Sequence, residues 1–342
     1  MDNEKNSATK LLEIKDLKVS FFTPVGEVKA VGGISYEVKH GEIMGVVGES
    51  GSGKSVEAYS IMGLLQSPGK VIGGSITFEG EDVLAKSKEK MTDFRGRNVA
   101  MIFQNPMTCL NPVYTVGNQL TEALRAHNKN ISRSEARKRA KEMLVLVGIN
   151  NVDKRMKQYP HEFSGGMRQR VMIAMGLICS PQLLIADEPT TALDVTIQAQ
   201  ILELMKEIQS NTDMGIIFIT HNLGVIAEIC DKVSVMYAGK IVEQGPVNDI
   251  FYRTAHPYTY GLLRSMPRVD AHEYERLIPI EGTPVDMLNP PDGCPFAPRC
   301  DKCMQICLKK MPPYVEVGEE HRSACWLRVK ESLDEKEEQN NG

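Results

Sequence analysis

The chain of 342 residues has no apolar stretch approaching the ~20 consecutive residues that span a bilayer. Its start, Met1-Asp-Asn-Glu-Lys-Asn-Ser7, lacks the basic and apolar regions of a secretory signal. The expectation is a cytoplasmic protein that meets a membrane only through protein partners. Positive charge is not in excess either: 40 Lys and Arg stand against 44 Asp and Glu, a net charge of −4, which argues against a nucleic-acid surface. Cysteine is sparse over most of the length. Cys109, Cys179 and Cys230 are scattered and read as small buried apolar residues or inert thiols, and a cytoplasmic chain is not expected to pair them as disulfides. The remaining five, Cys294, Cys300, Cys303, Cys307 and Cys325, crowd the end.

What is present is a phosphate cradle. Gly48-Glu49-Ser50-Gly51-Ser52-Gly53-Lys54-Ser55 follows an apolar strand, Ile43–Val47, and has Walker A spacing. In that pattern the glycines let backbone N–H groups face the β- and γ-phosphates of a nucleotide, and the next helix presents its positive end. Lys54 reaches the terminal phosphates and Ser55 ligates Mg²⁺. Further on, Ser164-Gly165-Gly166 opens a helix running from Met167 to about Cys179, whose exposed amino end suits an anion. A third apolar strand, Leu183–Ala186, ends in the pair Asp187-Glu188. Hydrolysis of a phosphoanhydride needs a metal, an oriented water and a sensor of the γ-phosphate. Asp187 is expected to hold the hydrated Mg²⁺, Glu188 to polarise the attacking water, and His221, at the end of the strand Gly215–Ile219, to donate to the γ-phosphate. Gln104 sits between the apolar Val99–Phe103 and the breaker Asn105-Pro106. No Asn/Thr-Lys-x-Asp segment reads guanine, which excludes a GTPase switch. A single module without a heptad array argues against the paired or coiled-coil ATPases of translation and DNA repair.

Together these segments resemble the ABC-type ATPases, whose signature is usually Leu-Ser-Gly-Gly-Gln and here reads Phe163-Ser-Gly-Gly-Met167. The resemblance implies that Ser164, Gly165 and Gly166 of one subunit cover the γ-phosphate held by the Walker loop of another. It makes Gln104 the Q-loop residue that touches Mg²⁺ and reports to a membrane partner, His221 the switch histidine, and Asp194 of Thr190–Asp194 an intersubunit contact. It also calls for one aromatic ring stacked on adenine. Phe21 and Phe22 both offer one, strand alternation lets only one face the base, and Phe21 fits the spacing better.

The expected fold is α/β: a P-loop ABC ATPase domain with a mainly parallel sheet, an antiparallel β subdomain and a helical subdomain, plus a small Cys-rich C-terminal extension. The boundaries are 1–265 for the ATPase domain, with the helical subdomain at about 108–165, then 266–330 for the extension and 331–342 for a disordered tail. Ser132-Arg-Ser-Glu135 reads as a capping box, and Lys240–Pro246 is expected to end the core.

Gly282-Thr-Pro-Val285, Pro290–Cys300, His321–Cys325 and His256-Pro-Tyr-Thr259 are similar to the tails of ATPase subunits from oligopeptide and dipeptide importers. That resemblance implies an ATPase powering peptide uptake at the cytoplasmic face of a membrane. Its partners would be a second ATPase, two permeases and an extracytoplasmic peptide-binding protein, with no nucleic acid. A nickel or other small-solute importer of the same subfamily is the alternative. Cys294, Cys300, Cys307 and Cys325 are separated by five, six and seventeen residues. Soft thiolates in that number suit a [4Fe–4S] cluster or Zn²⁺. The cluster is preferred, because paired zinc knuckles are missing and some importer ATPases carry one; Cys303 is an extra thiol. Lying far along the chain from every phosphate-contacting residue, such a cofactor is expected to be structural or regulatory.

Overall fold

The computed structural model describes residues 9–105, 109–191, 193–266 and 278–332. Its strands are β1 (Lys10–Thr23), β2 (Gly26–Lys39), β3 (Ile43–Val47), β4 (Gly69–Phe78), β5 (Glu81–Asp82), β6 (Val99–Ile102), β7 (Leu183–Asp187), β8 (Gly215–Thr220), β9 (Lys232–Tyr237), β10 (Lys240–Pro246), β11 (Val315–Gly318) and β12 (His321–Ser323). The described residues form two compact units, one from 9–12, 38–42 and 78–219, the other from 13–37, 43–77 and 220–332.

In the first unit β6, β7 and β8 run parallel, with Ile102 opposite Ala186 and Ala186 opposite Phe218. Every residue of these strands is buried, which is why they read as unbroken apolar runs rather than alternating ones. Between Gln104 and Ser164 the described residues include the helices Val116–His127, Arg133–Leu146 and Val152–Arg155. Leu120, Leu124, Ala136, Ala140 and Leu144 form the buried faces of the first two. Ser132 Oγ accepts from the Glu135 amide at 3.1 Å, but the Glu135 carboxylate pairs with Arg139, so only half of the capping box closes.

In the second unit β2, β1 and β4 lie side by side, and β11, β12, β10, β9 and β3 form a second array in that order. β3 is parallel to β9, while β9 and β10 make an antiparallel hairpin. Here the sequence reading needs correction. β10 does not end the core: β12 pairs with it, Glu243 opposite Ser323, and β11 pairs with β12. The cause is a fully buried carboxylate. Glu243 accepts from the amides of Ala255 at 2.6 Å and His256 at 2.9 Å, and His321 Nε2 of β12 lies 2.9 Å from it. A buried carboxylate without such partners would cost several kcal/mol, on the order of a broken buried ion pair. Residues 278–332 thus fall in the same compact unit as Gly48–Ser55. Residues 326–332 are helical, so the tail expected from 331 starts inside a helix; 333–342 lie outside the described residues. Among the described residues no helix is long and apolar enough to cross a membrane.

Candidate functional site

The loop after β3 is shaped by what its glycines exclude. A Cβ on Gly48 would stand 2.1 Å from the Met236 carbonyl oxygen, so only glycine fits against the end of β9. Gly51, at φ +78°, faces the other way, with nothing within 4 Å of where its Cβ would be. The loop is therefore pressed onto the sheet on one side and open on the other, as an anion cradle requires. The helix Lys54–Ile61 starts behind Gly53 without a side-chain cap, so its positive end opens onto the loop. Lys54 is buried, and its Nζ donates to the carbonyls of Gly48 at 2.8 Å and Glu49 at 2.9 Å. Ser52 is buried too, Ser55 is half-buried and Ser50 is exposed. These residues fit a nucleotide triphosphate.

Two residues beyond Ser55, Glu57 is buried and accepts a hydrogen bond from Tyr36. Burial pushes its carboxyl from the ordinary 4.5 up to about 8, opposed in part by the Tyr36 hydroxyl. Nothing in the sequence marks this pair.

Gln104, Glu188 and Thr191 meet in the first unit. Gln104 Nε2 donates to Glu188 Oε2 at 2.7 Å, and Thr191 Oγ1 donates to the same oxygen at 2.9 Å. Glu188 adopts φ +49°, a left-handed conformation that costs a non-glycine residue about 1–2 kcal/mol and recurs at functional turns. Asp187, just before it, is the buried last residue of β7. Ser164 caps the helix Gly165–Leu177 by accepting from the Met167 amide at 3.4 Å; the helix starts two residues earlier than the sequence suggested. Gly165 faces open space, while a Cβ on Gly166 would meet Ile197 Cγ2 at 2.9 Å. Asp194 Oδ1 accepts from the Ile197 amide at 2.9 Å and caps the helix Val195–Thr212.

In the second unit His221 is exposed at the end of β8. Phe21 and Phe22 do point to different environments. Phe21 is half-buried with its ring against Gly69, whereas Phe22 is 47% exposed with Lys70 Nζ 6.0 Å from its ring centroid.

Cys294, Cys300, Cys307 and Cys325 line one cavity of about 20 Å³, with His256 and Phe296 beside them. Burial pushes the Cys294 thiol up to about 12 and that of Cys300 up to about 11, and raises Cys325 as well. Metal ligation needs thiolates. Among the described residues no three His, Cys, Asp or Glu side chains are grouped so as to hold a metal ion. The expected [4Fe–4S] or zinc site therefore finds no support in this arrangement, in which the four cysteines surround a space the size of a water molecule. Cys303 is exposed and its Sγ lies 3.6 Å from the Met304 carbonyl.

Comparison with known proteins bears on both regions. Residues 31–191 match the ABC transporter family, and 242–307 match the C-terminal region of oligopeptide/dipeptide transporters. The oligopeptide transport ATP-binding protein OppD of Bacillus subtilis (strain 168) is 55% identical over 320 residues, covering 93% of this chain and 89% of that one. The chain belongs to the ATP-binding subunits of the oligopeptide/dipeptide ABC transporter family. The dipeptide transport ATP-binding protein DppD of the same organism is likewise 55% identical, over 93% of this ABC ATPase and 95% of its own length. Among solved structures, cbiO1 of Clostridium perfringens, part of the ABC transporter complex cbiONQ, superposes with a TM-score of 0.62 at 28% identity, covering 72% of this chain and 92% of that one. The cassette MJ0796, at 24% identity and TM-score 0.62 over 69% of this chain and 98% of its own, has the same fold. In this ABC ATPase the first matched segment spans Gly48–Ser55, Ser164–Gly166 and Asp187-Glu188, while the second includes Cys294, Cys300 and Cys307 but ends before Cys325.

Proposed function

We propose that this ABC ATPase powers the uptake of dipeptides and oligopeptides through a membrane importer. The observation that carries the chemistry is Glu188, fixed by the neutral donors Gln104 and Thr191 on a strained turn at the end of a buried strand. A carboxylate so oriented accepts the proton of an attacking water. Lys54 and the loop amides bind the phosphates, and His221 donates to the γ-phosphate. Ser55, Gln104 and Asp187 would hold Mg²⁺, which neutralises phosphate charge. Ser164, Gly165 and Gly166, with Asp194, serve the opposing subunit of an ATPase pair. Adenine takes its ring from Phe21 or Phe22; the exposure of Phe22 supports the latter, the family's spacing the former.

The relatives named for oligopeptide and dipeptide transport support peptide over nickel or another small solute as cargo. The partners in this reading are a second ATPase, two permeases and an extracytoplasmic binding protein, with the chain peripheral at the cytoplasmic face of the membrane. A [4Fe–4S] cluster or Zn²⁺ on Cys294, Cys300, Cys307 and Cys325 would require those thiols to ionise and converge.

Reconstituting the chain with its cognate ATPase, permeases and binding protein in liposomes tests the proposal. ATP hydrolysis should be slow for the isolated chain, well above the sum of the parts for the assembly, and further raised by peptide-loaded binding protein. Stimulation by a non-peptide solute alone would redirect the substrate, and full activity from a demonstrable monomer would overturn the shared-site mechanism.

A further inference from the structure

The phosphate loop carries one acidic side chain, Glu49, where an anionic ligand is to bind. A carboxylate there opposes the phosphates unless it is neutralised. Its neutraliser lies 250 residues away. Arg299, on the turn Ala297–Arg299 beside Cys300, donates through Nη1 to Glu49 Oε2 at 2.7 Å and through Nη2 to Oε1 at 3.0 Å. The pair is bidentate, and the Arg299 side chain is only 4% exposed. Arg299 is itself fixed: Nε donates to the Glu281 carbonyl at 2.9 Å, Nη2 to that of Ile280 at 3.2 Å and Nη1 to the Tyr237 hydroxyl at 3.3 Å. Burial works against the guanidinium charge, but the Glu49 carboxylate outweighs it and raises the arginine pKa.

The loop backbone is held from the same side. The Glu49 amide donates to the hydroxyl of Tyr258, a buried residue of His256-Pro-Tyr-Thr259, at 2.9 Å. Tyr258 packs against Tyr237 and Phe296 with ring centroids 4.7 and 5.3 Å apart, and Phe296 sits between Cys294 and Arg299 in the chain.

We infer that Arg299 and Tyr258 are positioning residues for the phosphate loop, and that through Arg299 the Cys-rich extension sets the affinity of the chain for ATP. The inference rests on the loop binding ATP. Arg299 cancels and orients the Glu49 carboxylate; Tyr258 fixes the peptide between Gly48 and Glu49. Removing the arginine alone leaves a half-buried carboxylate uncompensated beside the phosphates, which is worse than removing both partners.

The test is titration of the full chain with a fluorescent ATP analogue and Mg²⁺ at low and high salt. Arg299→Gln should weaken binding by about tenfold or more, most strongly at low salt. Glu49→Gln/Arg299→Gln should return to within about threefold of the parent, because the repulsive charge is gone. Arg299→Lys and Tyr258→Phe, which keep the charge and the ring respectively, should each weaken binding by about threefold, and they serve if Arg299→Gln does not fold. A double variant no better than Arg299→Gln would overturn the inference and leave Arg299 as a tether of the extension, as would parent-like binding by both milder variants. The Lys54→Ala variant should not bind. A folded parent that binds no analogue would overturn the ATP reading of the loop, and the inference with it.

Discussion

Replacing Glu188 separates chemistry from fold. In Glu188→Gln the amide oxygen can take over both hydrogen bonds now accepted by Oε2, from Gln104 at 2.7 Å and Thr191 at 2.9 Å. The variant should therefore stay within about 1 kcal/mol of the parent, the net worth of one hydrogen bond. It loses the proton acceptor, and turnover in the assembled transporter should fall by about 10²–10⁴-fold, with ATP affinity retained and a closed ATP-bound pair favoured. Two further variants read the backbone. Glu188→Ala and Glu188→Gly both lose the carboxylate and its two donors, but only glycine relieves the left-handed φ of +49°. The glycine variant should be more stable than the alanine variant by about 1 kcal/mol, the reverse of their order at an ordinary position. Denaturant unfolding of the purified chain measures the difference, and phosphate release measures turnover. Turnover of Glu188→Gln within a few-fold of the parent would remove Glu188 from the catalytic role. An alanine variant as stable as the glycine variant would show that no strain is stored at the turn.

Glu57 predicts a pH dependence of stability. Its folded pKa is raised from 4.5 to about 8 by burial, so the folded state holds a proton that the unfolded chain releases once pH passes 4.5. The contribution is full below pH 4.5 and is lost as pH rises to about 8; Glu57→Gln should flatten the melting temperature across that window and raise it near the upper end, and a parent whose stability does not fall there would refute the assignment. The cysteine module should yield to metal analysis: anaerobic purification followed by iron, sulfide and zinc assays should give amounts far below one per chain with a protease-resistant extension, and near-stoichiometric metal would restore the cofactor expected from the cysteine spacing. Cys300→Ser/Cys307→Ser should loosen the extension and, through Arg299, weaken nucleotide binding, whereas unchanged binding in a loosened extension would separate the two.

The local part of the mechanism was legible in the residue string. Spacing alone marks Gly48–Ser55, since its glycines answer local backbone demands, such as the left-handed φ of +78° at Gly51 and +104° at Gly53. The runs at 43–47, 99–102, 183–187 and 215–220 announce buried strands because both faces are covered, and a carboxylate pair after such a run stands at a strand end whatever the rest of the chain does. Long-range pairing was not legible. β11 and β12 are four and three residues long and largely polar, too short for an alternating pattern, and they exist as strands because β10 and the buried Glu243 are there to receive them. The choice between Phe21 and Phe22 depends on which ring lies against Gly69, a matter of register with β4. Sequence distance also misled: the extension looked remote from the phosphates, yet Arg299 meets Glu49 across 250 residues. The sequence by itself determined the loop, the strand ends and the chemistry they carry, because those depend on neighbours a few residues apart. Only the tertiary structure decided what neutralises Glu49, what caps β10 and how far four thiols converge, because such contacts form where strands meet in register and have no local signature.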